Sequence, residues 1–185
     1  MTARKVKREE ILDYETYEDR RKEIRARAME AKDLRRVQVG DVLVFLFENP
    51  ETIRYQIQEM VRAERHVRES DIQHEIDTYN ELLGDEGELG CTLMIAIDDP
   101  EERDRRLRAW LDLPEHLYVR VDDGRKIRPR YDPRQVGEDR ISAVQFLKFP
   151  IGDARPVAVG CDHPELLGET PLSTAQQEAL LADLR

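Results

Sequence analysis

Residues 42–47, Val-Leu-Val-Phe-Leu-Phe, form an unbroken apolar run rich in β-branched and aromatic side chains. A run of that length and composition reads as a buried strand. Asn49-Pro50 closes it. Asn accepts hydrogen bonds from the first free N–H groups of a helix, and Pro suits the first helical position, where its missing N–H would have no partner. The spacing of Ile53, Ile57, Met60 and Val61 then predicts a helix reaching about residue 66 or 67. Ser70-Asp-Ile-Gln73 has the form of a capping box, so a second helix is expected at once, stopped by Gly84. The short gap makes residues 50–83 an αα-hairpin.

Residues 89–97 read as the next strand, and Asp99-Pro100 repeats the cap-then-proline start of a helix through Trp110. Residues 117–121 and 126–131 flank Asp123-Gly124, a hairpin signal, with Pro129 placing the second arm at an edge. Residues 141–149 and 156–159 read as further strands. Ser173-Thr-Ala-Gln176 is another capping box, and Leu180, Leu181 and Leu184 give a C-terminal helix its apolar stripe. Residues 8–36 are helix-prone and heavily charged, with a thin stripe through Ile11, Tyr14, Tyr17, Ile24, Ala28 and Ala31 and a candidate break at Tyr14–Tyr17. This uneven order predicts an α+β fold with a mostly antiparallel sheet covered by helices on one side. The expected organisation is a charged helical segment over residues 1–36 and a single α+β domain over 37–185.

Charge narrows the function classes. Charged residues make up 38% of the 185, and the net charge is -10. That balance argues against general affinity for nucleic acid or an anionic membrane surface. Arg20, Arg21, Lys22, Arg25 and Arg27 are interleaved with acids, which is the pattern of a solvated helix face. No apolar run approaches the roughly 20 residues that cross a bilayer, and the basic N-terminus has no apolar stretch of a secretory signal. Cys91 and Cys161 form no C-x-x-C pair. They read as two reduced thiols of a cytoplasmic protein, Cys91 within a strand and Cys161 the more accessible.

Candidate chemistry concentrates on the hairpin. On a helical wheel Glu64 falls in the middle of the apolar face of Ile57, Met60 and Val61, and Glu75 flanks the apolar stripe of the next helix. The two carboxylates are therefore expected to face a shared interior. A buried carboxylate needs a partner, and Arg35, Arg36 and Arg54 are candidates. Otherwise it is a metal ligand or a base. Tyr55, Glu59, Arg62 and His66 form the opposite, polar face, expected to stay open to a partner. His66 and His74 belong to no H-E-x-x-H, and Asp71-x-x-His74 supplies only part of a di-iron pattern. Cys161 and His163, two apart in a loop, are weak candidates for a soft metal. His116 carries no further signal, and no Gly-rich phosphate loop or nucleophile motif is present.

Several pieces together resemble an uncharacterised bacterial family, domain of unknown function 3501. They are Arg35-Arg36 through Gly40, Phe47-Glu48-Asn49 with Thr52, and Gln56-Ile-Gln-Glu-Met60 with Arg62 and Glu64. Glu75, Tyr79-Asn80, Leu82-Leu83, His163-Pro164 and the Leu180 to Leu184 helix complete the set. The resemblance implies an accessory role beside a rubrerythrin-like or iron–sulfur oxidoreductase protein, with no assigned activity, cofactor or site. Two readings follow: an accessory or binding protein of that pathway, and a metal-dependent enzyme using Glu64, Glu75 and a histidine. RNA binding through the arginine-rich helix is disfavoured by the acidic balance.

Overall fold

The structure is a computed structural model describing residues 5–185. The first four residues, where the reading of the N-terminus as lacking a secretory signal begins, lie outside the described residues. Asp13 caps the first long helix, α1 (Tyr14–Asp33), by accepting from Thr16 N at 2.9 Å. The helix-prone stretch therefore breaks before Tyr14, and a single 3-10 turn, Arg8–Glu10, precedes the cap. A hairpin follows, β1 (Arg36–Val39) and β2 (Leu43–Phe47), turning at Gly40 with φ 60°. Asn49 and Thr52 form a reciprocal capping box at the start of α2 (Pro50–Ala63). This helix is shorter than its pattern predicts. Arg65 adopts φ 49°, with Arg65 N bonded to Arg62 O and His66 N to Val61 O. That is a Schellman stop, here with an arginine in the left-handed position that glycine usually takes. The next helix, α3 (Glu69–Asn80), starts after Arg68 without a side-chain cap, so Ser70 lies inside it and does not cap it.

Then come β3 (Glu88–Ile95), α4 (Pro100–Ala109) capped by Asp99, the short α5 (Leu113–His116) and β4 (Leu117–Val121). The predicted arm at 126–131 divides at Pro129 into β5 (Lys126–Ile127) and β6 (Arg130–Tyr131), which pair in different sheets. The chain ends with β7 (Val144–Pro150), β8 (Pro156–Cys161), β9 (Gly168–Pro171) and α6 (Thr174–Asp183), the last with the expected Ser173–Gln176 box.

The fold is α+β with two antiparallel sheets, ordered β1-β2-β3-β7-β6 and β5-β4-β8-β9, where the sequence pattern implied one. They enclose one core. Phe45, Phe47, Leu93, Leu147 and Phe149 enter it from the first sheet, and Leu117, Val119, Val121 and Val159 from the second. Thr170 Oγ1 donates to Gln38 O at 2.5 Å and joins the free edges of β9 and β1. Leu107, Trp110 and Leu113 of the α4–α5 region and Leu180 and Leu184 of α6 add helical side chains to this core.

A second, smaller apolar cluster lies among the helices: Ile53, Ile57 and Val61 of α2, Ile72 and Ile76 of α3, with Val6, Ile11 and Leu83. Two buried amides bind the N-terminal segment to it. Asn80 exchanges both hydrogen bonds with the Val6 backbone at 2.9 Å each, and Gln58 does the same with Leu12 at 2.6 and 3.1 Å. A side-chain amide in this pose mimics a neighbouring strand residue, which accounts for polar residues on an apolar face. Among the described residues no helix is long and apolar enough to cross a membrane.

Candidate functional site

The polar face of α2 is not open. α1 lies along it, and charge on one helix meets charge on the other. Glu59 accepts from Tyr17 Oη at 2.7 Å and from Arg21 at 2.8 and 3.1 Å. Tyr55 is buried, with its hydroxyl accepting from Arg25 at 2.7 Å and the Lys32 ammonium 5.2 Å from its ring centroid. Arg62 pairs with Glu18. Burial opposes the Glu59 carboxylate, but Arg21 and Tyr17 outweigh it and hold its pKa below the usual value. Tyr55, Glu59 and Arg62 are thus one half of a helix–helix interface. The expectation of an accessible partner face is corrected for them, and His66 is half-buried against Glu75 at 3.3 Å.

The two hairpin carboxylates are not brought together. Glu64 is exposed at the C-terminal end of α2, beyond Val61, the last buried residue of the helix. The three arginines considered for it are engaged elsewhere: Arg35 with Asp183, Arg36 with Asp33, and Arg54 with Glu10 and Glu51. Glu75 turns to His66, and His74 is exposed. Both cysteines are free and buried, so Cys161 is not the accessible thiol its loop position suggested. Burial raises both thiol pKa values. Cys161 Sγ faces the backbone N–H of His163 at 3.5 Å. Among the described residues no group of three or more histidine, cysteine, aspartate or glutamate side chains is arranged to hold a metal ion.

Two other places gather polar groups. The first is a cavity of about 440 Å³ between the N-terminal turn of α2, the loop at 83–89 and the end of α6. Glu48, Glu51, Asp85, Glu88 and Asp183 line it, with Arg54 and Arg185. Its wall is rigid. Glu48 accepts from Thr92 at 2.9 Å and from Thr52 at 2.5 Å. Asp183 takes both arms of Arg35 at 2.7 and 3.0 Å, with the two side chains only 12% and 9% exposed. Burial raises the Asp183 pKa, and Arg35 and Asn49 only partly offset it. Gly90 lets the loop approach: a Cβ there would meet Leu82 O at 2.0 Å. Arg35, Glu48, Asn49, Thr52 and Leu83, all among the residues that carry the family resemblance, build or border this cavity.

The second is a chain of alternating carboxylates and imidazoles where α5 meets the end of β8. Asp162 Oδ1 lies 3.1 Å from His116 Nδ1, and His116 Nε2 lies 3.0 Å from Asp112 Oδ2. Asp112 Oδ1 lies 3.3 Å from Nε2 of the buried His163. Arg128 clamps Asp162 at 3.1 and 2.6 Å. With His116 and Lys126, it pulls that carboxyl down to about 2. For His116, burial disfavours the charged ring, but Asp112 and Asp162 outweigh it and raise the pKa. The register Leu117↔Cys161, continued by the bond from Asp162 N to His116 O at 3.0 Å, sets the two pairs side by side. The sequence pattern does not single out His116 and its carboxylates. The spacing Asp112-x-x-x-His116, one helical turn, is the local signal available.

Fold and sites define a two-sheet α+β protein capped by a charged helical layer, with a carboxylate-lined cavity and a separate histidine–aspartate chain. The family model described as "Protein of unknown function (DUF3501)" matches residues 5–184, and the chain belongs to that family. No curated protein matches it. Among solved structures it is similar to a crystal structure of a novel protein of unknown function from Burkholderia pseudomallei K96243. That similarity has a TM-score of 0.88 and 30% identity, over 98% of this chain and 100% of that one.

Proposed function

We propose that this chain is an accessory binding protein that uses the cavity at the start of α2 to take a cationic group of its partner. The observation that carries this reading is the cavity itself, about 440 Å³, with carboxylates outnumbering arginines on its wall. A volume of that order suits a small ligand or an inserted side chain. The helix N-terminus alone would favour an anion, but Asn49 and Thr52 already satisfy each other there and Glu48 and Glu51 supply negative charge. The local field therefore selects a lysine or arginine side chain, or a small amine. The partner class is the one the family resemblance implies, a rubrerythrin-like or iron–sulfur oxidoreductase protein.

The test uses the full chain and a purified rubrerythrin-like or iron–sulfur protein from the same source, with calorimetry as the readout. Asp85 and Glu86 are exposed at the cavity rim. Wild type should bind with an affinity that falls as salt rises, and D85K/E86K should lose that binding while keeping its fold. Equal binding by both would remove the cavity from the reading. Failure of wild type to bind either protein would remove the partner class.

A further inference from the structure

We propose that His116 is a pH-dependent latch: its imidazolium ties α5 to the loop after β8, and loss of one proton releases that loop from Trp110 and Cys161. The argument starts from donors and acceptors. An ionised carboxylate only accepts, and a neutral imidazole has a single N–H. Both ring nitrogens of His116 face carboxylates, Asp162 at 3.1 Å and Asp112 at 3.0 Å. Both contacts are hydrogen bonds only when both nitrogens carry protons. His163 differs. Its Nδ1 accepts from Glu165 N at 3.2 Å, which leaves the Nε2 proton for Asp112 at 3.3 Å.

Removing a proton from His116 leaves a lone pair facing one carboxylate. Asp162 remains held, since Arg128 and Lys126 both bind it. Asp112 is 56% exposed, and the ion pairs described for it are with the two imidazoles. Asp112 is therefore the group that swings away, and it takes with it the Nε2 partner of His163. His163 is 7% exposed, with its ring edge-on to Trp110 at 6.5 Å. Glu165 accepts from the Trp110 indole N–H at 3.0 Å, and the His163 N–H covers Cys161 Sγ. Arg106 also faces the Trp110 ring, 5.5 Å from its centroid. His116 is 29% exposed, so protons reach it from solvent without prior unfolding.

The sign follows from the raised His116 pKa in the closed form. Closure is fully supported below the ordinary imidazole value, about 6.5, and lost as pH rises through the raised value. Each unit by which closure raises that pKa biases the closed state about tenfold.

Trp110 is the one tryptophan of the chain, which makes its fluorescence a reporter of this loop. Acrylamide quenching of the full chain should increase in one transition as pH rises, with its midpoint above that of free imidazole. Cys161 should become reactive towards an aromatic disulfide over the same transition. H116Q should be readily quenched across the whole range, with no transition. A wild type with flat quenching, or an H116Q variant with the same transition, would overturn the latch. If H116Q fails to fold, nitrogen NMR of wild-type His116 decides. Two protonated ring nitrogens and a midpoint above free imidazole, coincident with the quenching transition, support it. A midpoint at or below free imidazole refutes it.

Discussion

Changing Asp183 to Ala should destabilise the protein by about 3 to 5 kcal/mol at neutral pH, the range for removing one partner of a buried ion pair. The pair is buried by any measure: Arg35 and Asp183 side chains are 9% and 12% exposed, joined at 2.7 and 3.0 Å. In D183A the guanidinium keeps the Ala31 carbonyl, at 2.9 Å, and among the described residues no ion pair is left to it. Replacing both partners by apolar residues of similar size, R35M/D183L, should cost far less, because the desolvation of two charges disappears with their attraction. D183N should fall between, since the amide still accepts one bond. Burial raises the Asp183 pKa above its unfolded value despite Arg35, so the folded state holds this proton longer. Its contribution is greatest below about pH 3.9 and declines as pH rises through the raised value. D183N should lack that slope. Urea denaturation followed by circular dichroism gives the midpoints. A D183A midpoint equal to wild type, or a double variant as damaged as the single, would refute the buried-pair argument.

Further outcomes follow from the helical layer. Arg65→Gly should stabilise by about 1 kcal/mol, the order of the penalty for an L-residue in the left-handed region, and a lower urea midpoint would contradict the Schellman stop. Tyr17→Phe should cost about 1.5 kcal/mol by removing a buried donor to the ionised Glu59; an unchanged midpoint would mean the α1–α2 interface is loose. Glu64→Ala should stay within about 0.5 kcal/mol of wild type, since the residue is exposed. At pH 6 both thiols should react slowly with an aromatic disulfide, and a fast-reacting Cys161 there would contradict its burial.

What the sequence discloses well is chemistry completed within one turn of chain. Asn49, Asp99 and Ser173 each cap the helix expected of them, because the accepting side chain and the donating backbone N–H lie three residues apart. The run at 42–47 reads as β2 for the same local reason. By contrast, β1 and β9 are four residues each and become strands only through partners, β2 for one and β8 for the other. Ser70 shows the reverse error. A capping box is visible there, but the turn is set by Arg65 and the chain re-enters helix at Glu69.

The two polar faces of α1 and α2 mark a deeper limit. A helical wheel reports which side of a helix is polar, and a polar side is ordinarily the one water covers. Here each face is the other's partner: Tyr17, Arg21 and Arg25 answer Glu59 and Tyr55, and Glu18 answers Arg62. Hydrophobic periodicity carries no record of such a match, since neither helix departs from the pattern of a solvated one. The same holds for the histidine–aspartate chain. Asp112 and His116 are separated from Asp162 and His163 in the chain by β4 through β8, strands of both sheets. Only the pairing of β4 with β8, Leu117 opposite Cys161, turns two unremarkable dipeptide-scale signals into one titrating unit. Charged groups in this fold therefore take their roles from strand register and helix docking, and those are the elements whose perturbation should move function and stability together.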